Sequence, residues 1–167
     1  MTTDARFMDE ALRHAAAALA RGEFPVGCVL VRGGRIVAAG ARRGSRAAAG
    51  RELGHAEMVA LHALSEAEED PAPLRAFVTL EPCLMCFAAL LLHGTAEIVF
   101  AFEDVMGGAA SIDRAALAPL YREAPLRVRG GLRRRESLRL LQAFYRDPRN
   151  AYWRGSLLAQ HILSPPA

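Results

Sequence analysis

Hydrophobic residues recur along this chain with two periods, one typical of helices and one typical of strands. Helical spacing extends over residues 8–22, which are rich in alanine and leucine and end at Gly22, so an opening helix is predicted there. In the next segment, 24–40, two β-branched runs flank Gly33 and Gly34. Consecutive glycines can both take positive φ, which favours a tight hairpin between two antiparallel strands.

The rest of the pattern predicts alternating helices and strands. Apolar positions recur every three to four residues over 55–69, which indicates a second helix beginning near His55. A buried strand, a short buried helix and another strand follow the break at Pro71 and Pro73, and this order indicates a parallel crossover. In chain order the remaining predictions are strand 75–80, helix 83–94, strand 96–102, a possible strand 126–130, and amphipathic helices 133–146 and 151–163. The pattern therefore predicts one α/β domain over residues 1–167.

Composition excludes several classes of protein. The chain has 167 residues, the usual size of one domain. Its longest uncharged apolar run, about 84–92, is far shorter than the ~20 residues that a membrane span needs. The first ten residues include acids and lack the features of a secretory signal, so we expect a cytoplasmic protein. The net charge of +3 rests on arginine alone and permits a phosphate-bearing partner without requiring one.

Two of the three cysteines, Cys83 and Cys86, lie in the first turn of the predicted helix that follows Pro82. A helix N-terminus favours thiolates, and two thiolates one turn apart are half of a zinc site. His55 is a candidate third ligand, which leaves the fourth tetrahedral position open for water. Glu57 would then accept a proton from that water, although a closed structural site with Glu57 as fourth ligand is the alternative.

The motifs HAE at 55–57 and PCLMC at 82–86 form the signature of zinc nucleobase deaminases. The chain resembles the cytidine and deoxycytidylate deaminase superfamily. It is similar in particular to bacterial tRNA adenosine deaminases, and this similarity extends from the first helix to about Ser111. The matching segments are 22–31, 54–61, 79–86 and 107–111.

The resemblance implies a three-layer αβα fold, with helices on both faces of a mixed sheet of about five strands. It also implies one zinc ion per chain and hydrolytic replacement of an exocyclic amine by oxygen with release of ammonia. Carried over by position, the zinc ligands are His55, Cys83 and Cys86, and the proton carrier is Glu57. The resemblance further implies that three consecutive residues form one wall of the base pocket: Pro25, Val26 and Gly27.

Two departures from the resemblance concern substrate recognition. Arg42 stands where many relatives have an asparagine that grips the substrate, and residues 51–54 read RELG where the tRNA deaminases often have Asp-Pro-Thr-Ala. Arginine donates several hydrogen bonds and accepts none, so Arg42 favours a substrate with a carbonyl, carboxylate or phosphate. We therefore expect a deaminase of a free nucleobase, a nucleoside or a related amino-heterocycle. The alternatives are a tRNA adenosine-to-inosine deaminase and a non-catalytic zinc-bearing binding module.

The diverged tail, about 132–167, contains the last candidate residues. Trp153 could cap the base pocket by stacking on the substrate, although aromatic residues at helical spacing more often pack in a core or a subunit contact. The arginine run 133–135 could contact RNA phosphates or form a solvated helix face. The expected partners are a small nucleobase-like substrate, or tRNA as the alternative, with no membrane. The resemblance also implies a homodimer.

Overall fold

A computed structural model describes residues 3–46, 52–64 and 72–164. In chain order the elements are α1 (Thr3–Ala20), β1 (Gly27–Arg32), β2 (Arg35–Ala41), α2 (Ala56–Ala63), β3 (Leu74–Leu80), α3 (Leu84–Leu92), β4 (Thr95–Phe102), α4 (Pro119–Arg122), β5 (Arg127–Arg129), α5 (Arg134–Arg146) and α6 (Leu157–Leu163). Short 3-10 turns cover Glu52–Gly54 and Arg114–Ala116. The predicted extension of the second helix over 65–69 and the middle of the 42–54 loop lie outside the described residues. No helix in the described ranges is long and apolar enough to span a bilayer.

The five strands form one mixed sheet in the order β2-β1-β3-β4-β5. Strand β1 is antiparallel to both β2 and β3, whereas β3, β4 and β5 run parallel. The predicted hairpin is confirmed, and Gly33 and Gly34 have φ of 54° and 76°, which a side chain would penalise at both positions. The predicted parallel crossover is confirmed as β3, α3 and β4.

Helices cover both faces of the sheet, as the predicted fold class requires. Helix α1 packs against β1, and α2 packs against β2 on the opposite face. Two strand glycines permit this close approach. A Cβ at Gly27 would lie 2.1 Å from the carbonyl oxygen of Ala11 in α1, and a Cβ at Gly40 would lie 2.2 Å from that of Ala56 in α2. Gly40 therefore sets how closely the helix that follows His55 packs on the sheet.

The C-terminal segment packs back onto the sheet through α5. This helix contacts α1, β3 and β4, and the Ser137 hydroxyl donates a 2.6 Å hydrogen bond to the Thr79 carbonyl oxygen at the end of β3. The predicted helix 151–163 is wrong over its first six residues. There the chain turns, Trp153 and Gly155 take positive φ, and α6 begins only after Ser156, whose hydroxyl caps the Ala159 N–H. A glycine with positive φ followed by a capping serine outweighs the helical spacing of the apolar residues.

Candidate active site

The start of α2 and the start of α3 meet and bring together three potential metal ligands. His55 is the N-cap of α2, Cys83 is the N-cap of α3, and Cys86 lies in the first turn of α3. Their ligand atoms all lie within 4.8 Å of one another. His55 Nδ1 is 3.6 Å from Cys83 Sγ and 3.5 Å from Cys86 Sγ.

These separations fit a tetrahedral zinc ion. With Zn–N near 2.0–2.1 Å and Zn–S near 2.3 Å, tetrahedral ligands place nitrogen and sulfur about 3.6 Å apart, which agrees with both observed distances. The imidazole and the two thiols are also a donor set that zinc prefers. Glu57 does not belong to this cluster of mutually close ligand atoms. Three protein ligands leave one tetrahedral position for water.

The two thiols share their hydrogen-bonding environment. A hydrogen bond from Cys86 lowers the pKa of the Cys83 thiol to about 4, and His55 adds to this effect. The same hydrogen bond, together with burial, raises the pKa of Cys86. Cys83 is therefore ready to bind a metal as a thiolate, and Cys86 must release its proton when the metal binds.

Glu57 lies in the first turn of α2 and lines a cavity of about 250 Å³ that His55 and Cys83 also line. The side chain is only 3% exposed, and this burial raises its pKa. Ligand pockets for drug-sized molecules are typically about 300–1,000 Å³, so the cavity suits a single base. A carboxyl group with a raised pKa can accept a proton and return it near neutral pH.

The structure brings only some of the predicted recognition residues to this cavity. Val26, Arg42 and Trp153 line it, whereas Pro25 and Gly27 do not. The missing side chain of Gly27 faces α1 instead. Trp153 is 48% exposed.

Arg42 is almost completely buried, with 2% of its surface exposed, and its guanidinium has protein partners. Its Nη2 atom donates to Glu52 Oε2 at 3.0 Å and to the Tyr152 hydroxyl at 3.1 Å. That Arg42 also contacts the substrate stays a prediction.

Sequence reasoning missed several other residues that line the cavity, namely Phe24, Glu52 and Leu158, whereas Tyr152 belongs with Trp153 to the aromatic residues that could cap the pocket. The altered RELG segment pointed to a change at Glu52, but neither spacing nor composition indicated that Glu52 would accept hydrogen bonds from Arg42 and Tyr152. Glu81 also lines the cavity. Its carboxylate accepts hydrogen bonds from the N–H groups of Asp104 and Ala110, at 3.0 and 2.8 Å, and so holds the loop after β4.

Residues 1–102 match the model of the cytidine and deoxycytidylate deaminase zinc-binding region. The chain belongs to this deaminase family. The predicted fold, the zinc cofactor and the assignment to zinc-dependent hydrolytic deaminases are thereby confirmed, and His55, Cys83 and Cys86 are placed to bind one metal ion.

Relatives and solved structures of this deaminase family extend the similarity beyond residue 102. The chain is 35% identical over 153 residues to the tRNA-specific adenosine deaminase of Bacillus subtilis, covering 89% of this chain and 92% of that protein. A solved structure from a study of A-to-I editing by tRNA:A34 deaminases at the wobble position has 34% identity and a TM-score of 0.68. The match covers 81% of this chain and 99% of the chain in that structure.

A tRNA(Ile)-lysidine synthase of Thermus thermophilus is 42% identical to this deaminase-family chain over 139 residues. The match covers 83% of this chain but only 24% of that protein. The chain therefore spans about a quarter of the length of this relative.

Proposed function

We propose that this chain is a zinc-dependent hydrolytic deaminase that converts adenosine to inosine in tRNA. The observation that carries the proposal is a buried carboxyl group, Glu57, in a base-sized cavity beside a three-ligand cluster with zinc geometry. Hydrolytic deamination needs a site of this kind, because one proton must be removed from water and one must be delivered to the departing amine.

The chain's own residues account for these proton transfers. Zinc, when bound, lowers the pKa of a coordinated water from about 15.7 to about 7 and so supplies a nucleophile at neutral pH. The Glu57 carboxylate accepts the water proton as the oxygen adds to the ring carbon that bears the amine. Glu57 then donates a proton to the amine nitrogen, the C–N bond breaks, and ammonia leaves. Val26 and Leu80 provide apolar walls that keep bulk water from the ring.

The relatives of this chain and the contacts of Arg42 both favour tRNA as the substrate. Relatives named tRNA-specific adenosine deaminases match this chain over nearly their whole length. In addition, Arg42 was the reason to expect a small substrate with an acceptor group, and its guanidinium is bonded to Glu52 and Tyr152 within the protein. Arg42 therefore needs no acceptor group on the substrate to be satisfied.

An arginine-lined groove between α5 and α6 also supports an RNA substrate. Arg135, Arg139 and Arg146 are exposed and line this groove. In the predicted run 133–135, Arg133 pairs with Asp9 and Arg134 with Glu103, whereas Arg135 has no such partner among the described residues. The three exposed arginines are available for phosphate contacts.

The test measures inosine formation in an anticodon stem-loop containing adenosine, in parallel with ammonia release from free adenosine, adenine, guanine and cytosine. We expect the zinc-loaded protein to convert the stem-loop with a rate that falls steeply as salt rises. Glu57→Gln should lower kcat at least about 100-fold and still hold one zinc per chain.

Two results would count against this proposal. Turnover of a free base without turnover of the stem-loop would favour the small-substrate deaminase instead. Unchanged activity in Glu57→Gln would remove Glu57 from the proton transfers.

A further inference from the structure

The zinc ligand His55 has a second contact on the side of its ring away from the cysteines. Nδ1 faces the two sulfur atoms, and Nε2 lies 3.4 Å from Glu52 Oε2. A histidine that binds zinc through Nδ1 must carry its proton on Nε2, and an acceptor opposite Nε2 selects that tautomer and fixes the ring. Glu52 occupies the position of such an acceptor.

Glu52 is itself held by two further donors. The same oxygen, Oε2, accepts hydrogen bonds from Arg42 Nη2 and from the Tyr152 hydroxyl, each at 3.0 Å. Arg42 Nη2 also lies 3.1 Å from the Tyr152 oxygen. Because arginine can only donate, the Tyr152 oxygen accepts from Arg42 and its proton points to Glu52. The directions of all these hydrogen bonds are mutually consistent.

Tyr152 reaches Glu52 from a distant part of the chain. The two residues are 100 positions apart, and Tyr152 lies in the turn before α6. Its ring packs against Phe24, with centroids 5.4 Å apart, and the Arg42 guanidinium lies 5.3 Å from the ring centroid. The C-terminal segment is therefore joined to the metal ligand through one carboxylate.

We propose that Glu52 is a positioning residue for His55, and that Arg42 and Tyr152 hold Glu52 in place so that the C-terminal segment contributes to zinc affinity. Loss of an outer contact of this kind typically weakens metal binding by 10–100-fold. The proposal concerns metal binding and does not depend on which substrate is deaminated.

The test compares zinc dissociation constants, measured by competition with a chelator, for three variants and the unaltered protein. Glu52→Gln keeps the shape but removes the charge, and we expect zinc affinity to fall by about 10-fold or more. Tyr152→Phe removes only the hydroxyl and keeps the ring against Phe24, so we expect a smaller but measurable loss. Glu103→Gln is the matched control, because Glu103 also pairs with an arginine but does not contact His55.

Cobalt(II) substitution gives a second readout that a general loss of stability would not move. We expect the ligand-field bands of Glu52→Gln to shift relative to both the unaltered protein and Glu103→Gln. If Glu52→Gln binds zinc with an affinity within twofold of that of the unaltered protein, and its cobalt spectrum is unchanged, the proposal is overturned. An equal loss in Glu103→Gln would overturn it too. If Glu52→Gln does not fold, the zinc affinity of Tyr152→Phe provides the test. An affinity of Tyr152→Phe equal to that of Glu103→Gln would refute the link between the C-terminal segment and the metal ligand.

Discussion

Replacing Gly40 by alanine should displace the helix that positions His55. The new Cβ would lie 2.2 Å from the Ala56 carbonyl oxygen and 2.6 Å from the Ala60 nitrogen. Both partners are backbone atoms of α2, so no side-chain rotation can relieve the contact. Gly40 does not have positive φ, and alanine therefore adds this clash without adding backbone strain.

The size of the displacement follows from the contact distance. An ordinary contact begins near 3.4 Å, so α2 must retreat from β2 by about 1 Å. Overpacking of this kind usually costs about 1–3 kcal/mol of unfolding free energy. Metal–ligand distances tolerate only about 0.2 Å, and Cys83 and Cys86 lie on α3 and need not follow. We therefore expect zinc affinity to fall by more than about tenfold, or about 1.4 kcal/mol.

Gly27→Ala provides the matched control. Its Cβ would lie 2.1 Å from the Ala11 carbonyl oxygen, an equally severe clash, but it faces α1, which carries none of the three ligands. Urea denaturation of metal-free protein measures the loss of stability, and chelator competition under folding conditions measures zinc affinity. We expect similar losses of stability in both variants and a loss of zinc affinity in Gly40→Ala alone. Equal zinc affinities in the two variants would refute the argument that Gly40 sets the position of His55.

Two further predictions concern residues outside the ligand cluster. Cys28 is fully buried in β1, so Cys28→Ala should retain one zinc per chain at a cost of about 1 kcal/mol of unfolding free energy, whereas Cys83→Ala should lose the metal. Zinc analysis measures the metal content of each variant, and urea denaturation measures its stability. Loss of zinc in Cys28→Ala would contradict the assignment of the ligands to His55, Cys83 and Cys86. A hydrogen bond from Arg134 lowers the pKa of Glu103 from 4.5 to about 2, so the stabilisation from this pair is complete above about pH 4.5 and is lost as the pH falls toward 2. Because Glu103 is about one-third exposed, Glu103→Gln should lower the free energy of unfolding by less than ~1 kcal/mol at pH 7 and by progressively less in acid. An equal loss of stability at pH 7 and at pH 3, measured in metal-free protein, would contradict this prediction.

The elements and the metal ligands could be predicted from the sequence because they depend on local interactions. Gly33 and Gly34 specify their hairpin through backbone freedom at two adjacent positions. Cys83 and Cys86 lie one helical turn apart whatever surrounds them, and Pro82 indicates where their helix starts. The zinc site additionally needs His55 from another helix, and the family motif supplied that pairing.

The surroundings of the site could not be predicted in the same way. The sequence predicts a substrate contact for Arg42, and only the fold shows that Glu52 and Tyr152 bond its guanidinium. The resemblance assigns Gly27 to the pocket wall, but in the assembled sheet a Cβ at this position would point toward α1. The first six residues of the helix predicted over 151–163, including Trp153, form turns instead, and α6 begins at Leu157.

The sequence by itself determined most of the helices and strands, where the ligand-bearing helices begin and which residues can bind zinc, because periodicity, capping and ligand chemistry act over a few positions. Only the tertiary structure decided which side chains surround those ligands. Contacts such as that between Glu52 and Tyr152 join residues 100 positions apart. Such contacts depend on how the layers pack, and no local pattern of residues encodes them.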